Sequence, residues 1–198
     1  MSETSPETLD HRPKIVICAY EMGDTGWDPF EDLSGEPWHP AGARTVVIAA
    51  DEPEALTGTL EAELDDERCR GLLLVGRTRT GDGFRVQVRA VNRSLDGTRR
   101  LDDVGPGVAR ATAPVAEIVR ALNEAGQSAA ISSEAEEDAG SYLLYRVLAD
   151  LPEGLDCPAV GLLRAPADAP DAAVQRAVKT AVQAMANHLS ALPRSRAS

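Results

Sequence analysis

The chain is 198 residues long, with 43% apolar and only 4% aromatic residues, enough for one domain built around an aliphatic core. Its 32 acidic against 20 basic residues leave a formal net charge of -12, which argues against nucleic acid and anionic membrane surfaces as partners. No apolar run reaches the roughly 20 residues needed to cross a bilayer, and the polar, acidic start Met1–Arg12 is unlike a secretory signal.

The two ends, Met1–Pro13 and Pro193–Ser198, lack apolar periodicity and are expected to be disordered tails flanking a single domain over 14–192. Within it, Lys14–Ala19 is a short apolar run with the character of a buried strand, and Arg44–Ala49 is a second, β-branched one. Pro53–Leu64 spaces Leu56, Leu60 and Leu64 as a helix would. Gly71–Gly76 is uniformly apolar, as in a strand covered on both faces. Phe84, Val86 and Val88 alternate with Arg85, Gln87 and Arg89, the pattern of a strand with one face in solvent.

Pro114–Ala125 carries Val115, Ile118, Val119 and Leu122 at helical spacing, with Gly126 placed to end the helix. Ala129–Ser132 is a candidate short strand. A helix is expected over Ala139–Leu151, a strand over Pro158–Leu163 and a long closing helix over Asp171–Leu192, whose Val174, Val178, Val182, Met185 and Leu189 form one stripe. Strands alternating with helices predict an α/β fold, a three-layer α/β/α sandwich around a mixed, mostly parallel sheet.

Generic motifs contribute little. Cys18, Cys69 and Cys157 are widely spaced and odd in number, neither a disulfide framework nor a zinc motif, so a reduced, cytoplasmic protein is expected. His11, His39 and His188 form no ligand pair, and no phosphate loop, dinucleotide fingerprint or serine elbow is present; no cofactor or metal is indicated. The acidic run Glu134, Glu136, Glu137, Asp138 reads as a solvated cap on the helix beginning at Ala139.

Four segments, in order, carry a resemblance. Gly26-Trp-Asp-Pro-Phe-Glu-Asp32 is followed by Glu36-Pro37-Trp38; an alternative register uses Ala19-Tyr20-Glu21. The stretch Gly76 to Asn92 places Gly76, Gly81, Ala90, Val91 and Asn92 without a gap. Ala113-Pro114-Val115 leads through Ile131-Ser132 to Asp138-Ala139-Gly140-Ser141-Tyr142-Leu143. The last is Val160-Gly161-Leu162-Leu163-Arg164-Ala165-Pro166. Together they resemble pyroglutamyl peptidase type I (pyrrolidone-carboxylate peptidase), a family of cytoplasmic cysteine peptidases that remove an N-terminal pyroglutamate.

The resemblance implies a cysteine, a histidine and a carboxylate, and these three positions fall on Leu144, Arg164 and Gln87. Leu144 has no lone pair for attack, Arg164 is a permanent cation unable to act as a base near neutral pH, and Gln87 carries no charge. Ser141 lies one turn before Leu144, without a histidine in the local sequence to activate it. The resemblance further places Trp27 and Phe30 where the family has the two aromatics that sandwich the pyroglutamate ring, and Arg77 where it has a substrate-facing glutamine. If Arg77 and Arg164 both point inward, the pocket is cationic and suits an anionic group, a carboxylate or a peptide rich in Asp or Glu; otherwise each pairs with a local acid.

Three functional expectations follow. The first is a protein that has lost peptidase chemistry and binds a small ligand or a peptide N-terminus in the inherited pocket. The second is a repurposed enzyme acting on a peptide or cyclic amide, drawing on Gln87, Arg164, Tyr20, Glu21 or Asp28. The third is a scaffold or subunit whose pocket has collapsed around Leu144. The resemblance also implies a homo-oligomer.

Overall fold

Strands of four to ten residues supply the main sheet, and amphipathic segments between them supply the helices. The structure is a computed structural model that describes residues 10–21, 37–79, 81–152, 154 and 156–191. In chain order its elements are β1 (Lys14–Ala19), β2 (Arg44–Ile48), α1 (Pro53–Leu64), β3 (Cys69–Thr78), β4 (Phe84–Gln87), β5 (Arg89–Val91), β6 (Val108–Arg110), α2 (Val115–Glu124), β7 (Ala129–Ser132), α3 (Ala139–Ala149), β8 (Ala159–Pro166) and α4 (Asp171–Ala191). Residues 1–9 of the expected tail over 1–13, the expected tail over 193–198, and the aromatic pair Trp27 and Phe30 lie outside the described residues.

Six strands form one sheet in the order β2-β1-β3-β8-β4-β7. All neighbouring pairs are parallel except β4 with β8. Side chains alternate across the sheet, so each strand feeds two cores. On one face Ile15, Ile17, Leu73, Val75 and Leu163 pack under α2 and α4. On the other, Val16, Cys18, Leu72, Leu74 and Leu162 pack under α1 and α3. Covering both faces makes the middles of β1, β3 and β8 apolar, and every residue of β1 and β8 is buried, Lys14 and Arg164 included.

α2 stops where Gly126 takes a left-handed backbone, φ 78°. There the Gly126 and Gln127 amides donate to the carbonyls of Asn123 and Leu122, which satisfies the last turn. α3 starts at Asp138, whose side chain accepts from the Ser141 amide at 2.9 Å, a cap worth about 1 kcal/mol.

Two expectations change. β4 is not a solvent-facing strand: it lies between β8 and β7, with Val86 and Gln87 fully buried. Gln87 turns into a buried polar site, while Arg85 is half-buried and faces Glu134 at 3.8 Å. The ribbon of β5 with β6 had no sequence signature. Each strand has three residues, and they are joined by a long irregular segment, so the pairing depends on tertiary contact with α3.

Tyr20 follows β1, and its ring lies across two glycines, Gly76 on β3 and Gly140 in the first turn of α3; a Cβ at Gly140 would sit 2.5 Å from the Tyr20 Cζ. Alanine normally gains up to about 1 kcal/mol over glycine in a helix. Here overpacking costs about 1–3 kcal/mol, because the phenol is held at its tip and cannot swing away. Gly140→Ala should therefore lower stability in urea unfolding, and in a Tyr20→Ala background the same change should become neutral or stabilising. An unchanged midpoint for Gly140→Ala alone would contradict this packing.

Candidate functional site

The carboxyl ends of parallel strands in an α/β sheet, together with a helix N-terminus, form the usual place for a ligand. Here that corner is built from Tyr20 after β1, Gly76 and Thr78 on β3, Arg164 on β8, Gln87 on the neighbouring β4, and Asp138 with Ser141 at the start of α3.

Arg164 fills the corner, 1% exposed. An arginine has five N–H donors, and each of these has an acceptor inside the protein. Nε donates to Gln87 Oε1 at 3.0 Å. Nη1 donates to the Tyr20 hydroxyl at 3.0 Å and to Asp138 Oδ2. Nη2 donates to Asp138 Oδ1 at 2.8 Å and to Ser141 Oγ at 2.9 Å. The pairing with Asp138 is two-pronged, the geometry in which a guanidinium and a carboxylate interact most strongly. Glu136 adds a more distant carboxylate at 3.8 Å and accepts from the Thr78 hydroxyl.

Gln87 is oriented from its other end: its Nε2 donates to the Arg89 carbonyl at 2.7 Å and lies 3.3 Å from Ser141 Oγ. Burial pushes the Asp138 carboxyl up, but the Arg164 hydrogen bond and charge, with the Ser141 amide, outweigh it and hold it below the usual carboxylate value. Burial likewise opposes the charge on Arg164, and the Asp138 contacts more than reverse that. Tyr20 is held protonated by burial.

The structure thus brings together two of the three sequence-expected positions, Gln87 and Arg164, in direct contact. Leu144 lies one turn beyond Ser141 on α3, fully buried in the apolar cluster with Leu143, Tyr145 and Leu162. The two-arginine pocket does not form. In the β3–β8 register Gly76 is the neighbour of Arg164 and Arg77 that of Ala165, so Arg77 and Arg164 leave opposite faces of the sheet. Arg77 instead binds the β8–α4 connection, donating to the Ala169 carbonyl at 2.8 Å and to Asp171 at 3.0 Å, where it organises the entry to α4.

The acidic run is also more than a solvated cap. Asp138 caps α3 and at the same time neutralises Arg164. The string Asp138-Ala-Gly-Ser141 before a helix indicated the cap, but nothing local indicated the partner, which lies 26 positions away.

Potential nucleophiles elsewhere are quiet. Burial pushes the Cys18 thiol up to about 12 and Cys69 to about 11, and also raises Cys157. His39 contacts Thr45, and His188 faces Glu117 at 3.4 Å. Beside the Arg164 cluster lies an open cavity of about 190 Å³, reached between β5, the segment before α3 and the first turn of α3.

No protein-family model and no curated protein matches this sequence. Solved structures do match in fold. The pyrrolidone carboxyl peptidase of Thermus thermophilus is 24% identical with a TM-score of 0.61, over 86% of this chain and 98% of that one. The Thermococcus litoralis pyrrolidone carboxyl peptidase is 18% identical with a TM-score of 0.68, over 90% and 95%. The Bacillus amyloliquefaciens pyroglutamyl peptidase I is 15% identical with a TM-score of 0.70, over 89% and 98%. The chain has the fold of these peptidases, as the four sequence segments implied. Among the described residues, no helix is long and apolar enough to cross a membrane.

Removing the Asp138 charge while keeping its cap should leave Arg164 buried and uncompensated. Asp138→Asn is therefore expected to cost roughly 3 kcal/mol at neutral pH, the low end for buried pairs because one edge of Asp138 is open. The folded-state value of this carboxyl lies below its unfolded value of about 3.9. Its stabilisation is therefore complete above that value and is lost as the pH falls through the lower, folded one. Urea unfolding across an acid series should show the gap between wild type and Asp138→Asn closing in strong acid; a constant gap would contradict the pairing.

Proposed function

We propose, proceeding from the pyroglutamyl-peptidase fold, that this protein does not hydrolyse amides and instead binds a small ligand or a peptide N-terminus beside the position where such a peptidase would carry its catalytic groups. One observation carries the reading: every N–H of Arg164 is already satisfied within the protein. A group at the proton-shuttle position must exchange a proton with substrate. A saturated, fully buried guanidinium has no proton to lose near neutral pH and no donor left over for a substrate carbonyl.

The neighbouring positions support the same conclusion. Leu144 offers no nucleophile and is sealed in the core. Gln87 spends its amide on Arg164 and on the Arg89 carbonyl. Ser141 is 2.9 Å from Arg164, where a cation replaces the general base that an attacking serine requires. What remains usable is the open cavity at the start of α3, whose wall includes Ser141, Asp138 and Tyr142. A cavity with a few fixed polar groups suits a bound ligand.

The reading favours binding over the collapsed scaffold because Leu144 closes only the former nucleophile position and leaves that cavity open. It rests on a reduced protein outside membranes, with homo-oligomers as the assembly the fold suggests.

The test uses a fluorogenic pyroglutamyl amide. No release above the blank is expected, for the native protein and equally for a variant with Cys18, Cys69 and Cys157 all changed to alanine. Turnover by the native protein would overturn the reading.

A further inference from the structure

Ser141 is 7% exposed and lines the open cavity beside the start of α3. Two groups reach its hydroxyl oxygen from the sheet, Arg164 Nη2 at 2.9 Å and Gln87 Nε2 at 3.3 Å. A guanidinium can only donate. The Gln87 amide is fixed in its orientation as well. Its Oε1 faces the Arg164 Nε–H at 3.0 Å and its Nε2 faces the Arg89 carbonyl at 2.7 Å, so a flipped amide would set donor against donor and acceptor against acceptor. Both neighbours of the serine oxygen are therefore obligate donors, and Ser141 Oγ accepts from both.

That leaves the proton. A hydroxyl has two lone pairs and one O–H. With both lone pairs in use, the O–H of Ser141 turns away from Arg164 and Gln87, and among the described residues it has no acceptor. Arg164 and Gln87 stand on β8 and β4, beneath α3, so the remaining direction about the oxygen is the cavity side. A donor that is nine-tenths buried gains from an acceptor placed there.

The charges around the cavity decide which kind of acceptor. Glu136, Glu137 and Asp138 line it together with Arg89 and Arg93, and Arg164 lies directly behind Asp138. Three carboxylates against three guanidinium groups leave no net charge. Most are already joined, Arg164 with Asp138 and more distantly with Glu136, and Arg93 with Glu137. A bound ion would give up hydration here with no surplus of opposite charge to replace it. An uncharged group escapes that penalty, and Val91 and Ala135 add apolar surface to the same wall.

We infer that this cavity takes an uncharged amide, whose carbonyl oxygen accepts the Ser141 proton, and that Ser141 is the residue that selects it. The inference rests on the binding reading above and names the group the ligand presents: a backbone carbonyl or a carboxamide. It replaces the anionic ligand that Arg77 and Arg164 together would have suited.

Three probes of one shape test it by amide NMR titration of the nitrogen-labelled protein: benzamide, which is uncharged, benzoate and benzamidinium. Benzamide should give saturable shifts at Val91, Ser141 and Tyr142, and should bind about tenfold tighter than either ion. In Ser141→Ala the benzamide affinity should fall about tenfold and the three affinities should converge, because the selecting donor is gone. Circular dichroism melts show whether that variant is folded; if it is not, the ranking of the three probes on the native protein decides alone. An ion that binds as tightly as benzamide, a benzamide affinity unchanged in folded Ser141→Ala, or no saturable shift up to the solubility of the probes each overturns the inference. The underlying reading is tested apart from it, by turnover of the fluorogenic pyroglutamyl amide.

Discussion

A buried cation must be neutralised, and at the carboxyl end of the sheet that requirement organises the corner around Arg164. Arg164 stands on the central strand β8, and its five donors reach β4 through Gln87, the end of β1 through Tyr20 and the start of α3 through Asp138 and Ser141. An unpaired charge at that depth would cost several kcal/mol. The surrounding residues are therefore tightly specified: a carboxylate at the helix cap, a phenol across two glycines, and a buried amide on β4. Gly76 and Gly140 follow from the phenol, and the phenol follows from the guanidinium.

The chemistry of this pair sets what the corner can do. Histidine beside a carboxylate can take up and return a proton at neutral pH. Arginine beside a carboxylate is a permanent ion pair that holds strands and a helix together. At this corner the pair fastens β8 to the start of α3. Ligand recognition then has to come from outside the ion pair, at the open cavity beside the start of α3.

Much of the fold was legible in the sequence because its core strands are covered on both faces. The uniform runs at 14–19 and 71–76, and the spacing of Val115, Ile118 and Leu122 before Gly126, depend on local pattern alone. β4 was misjudged because alternation records polarity, not water: Gln87 points into a buried polar cluster. The β5–β6 ribbon was invisible because three-residue strands far apart in the chain form only through tertiary contact. At the site, the resemblance pointed to Gln87, Leu144 and Arg164, of which the structure brings Gln87 and Arg164 into contact and buries Leu144 in the core. The sequence did not reveal that Arg77 faces the other side of the sheet, since that depends on register between β3 and β8. Nor did it reveal Asp138 as the counter-ion, since an N-cap aspartate looks the same whether or not an arginine lies behind it.

The most direct check is on the guanidinium itself. Nitrogen-detected NMR of the labelled protein resolves an arginine whose rotation is frozen and whose protons exchange slowly. Arg164 should appear as one such side chain, with separate Nη signals that do not move when a peptide is added. A rotating, rapidly exchanging Arg164, or one whose Nη signals shift on peptide binding, would mean that its donors are available after all, and the account built on their saturation would fall.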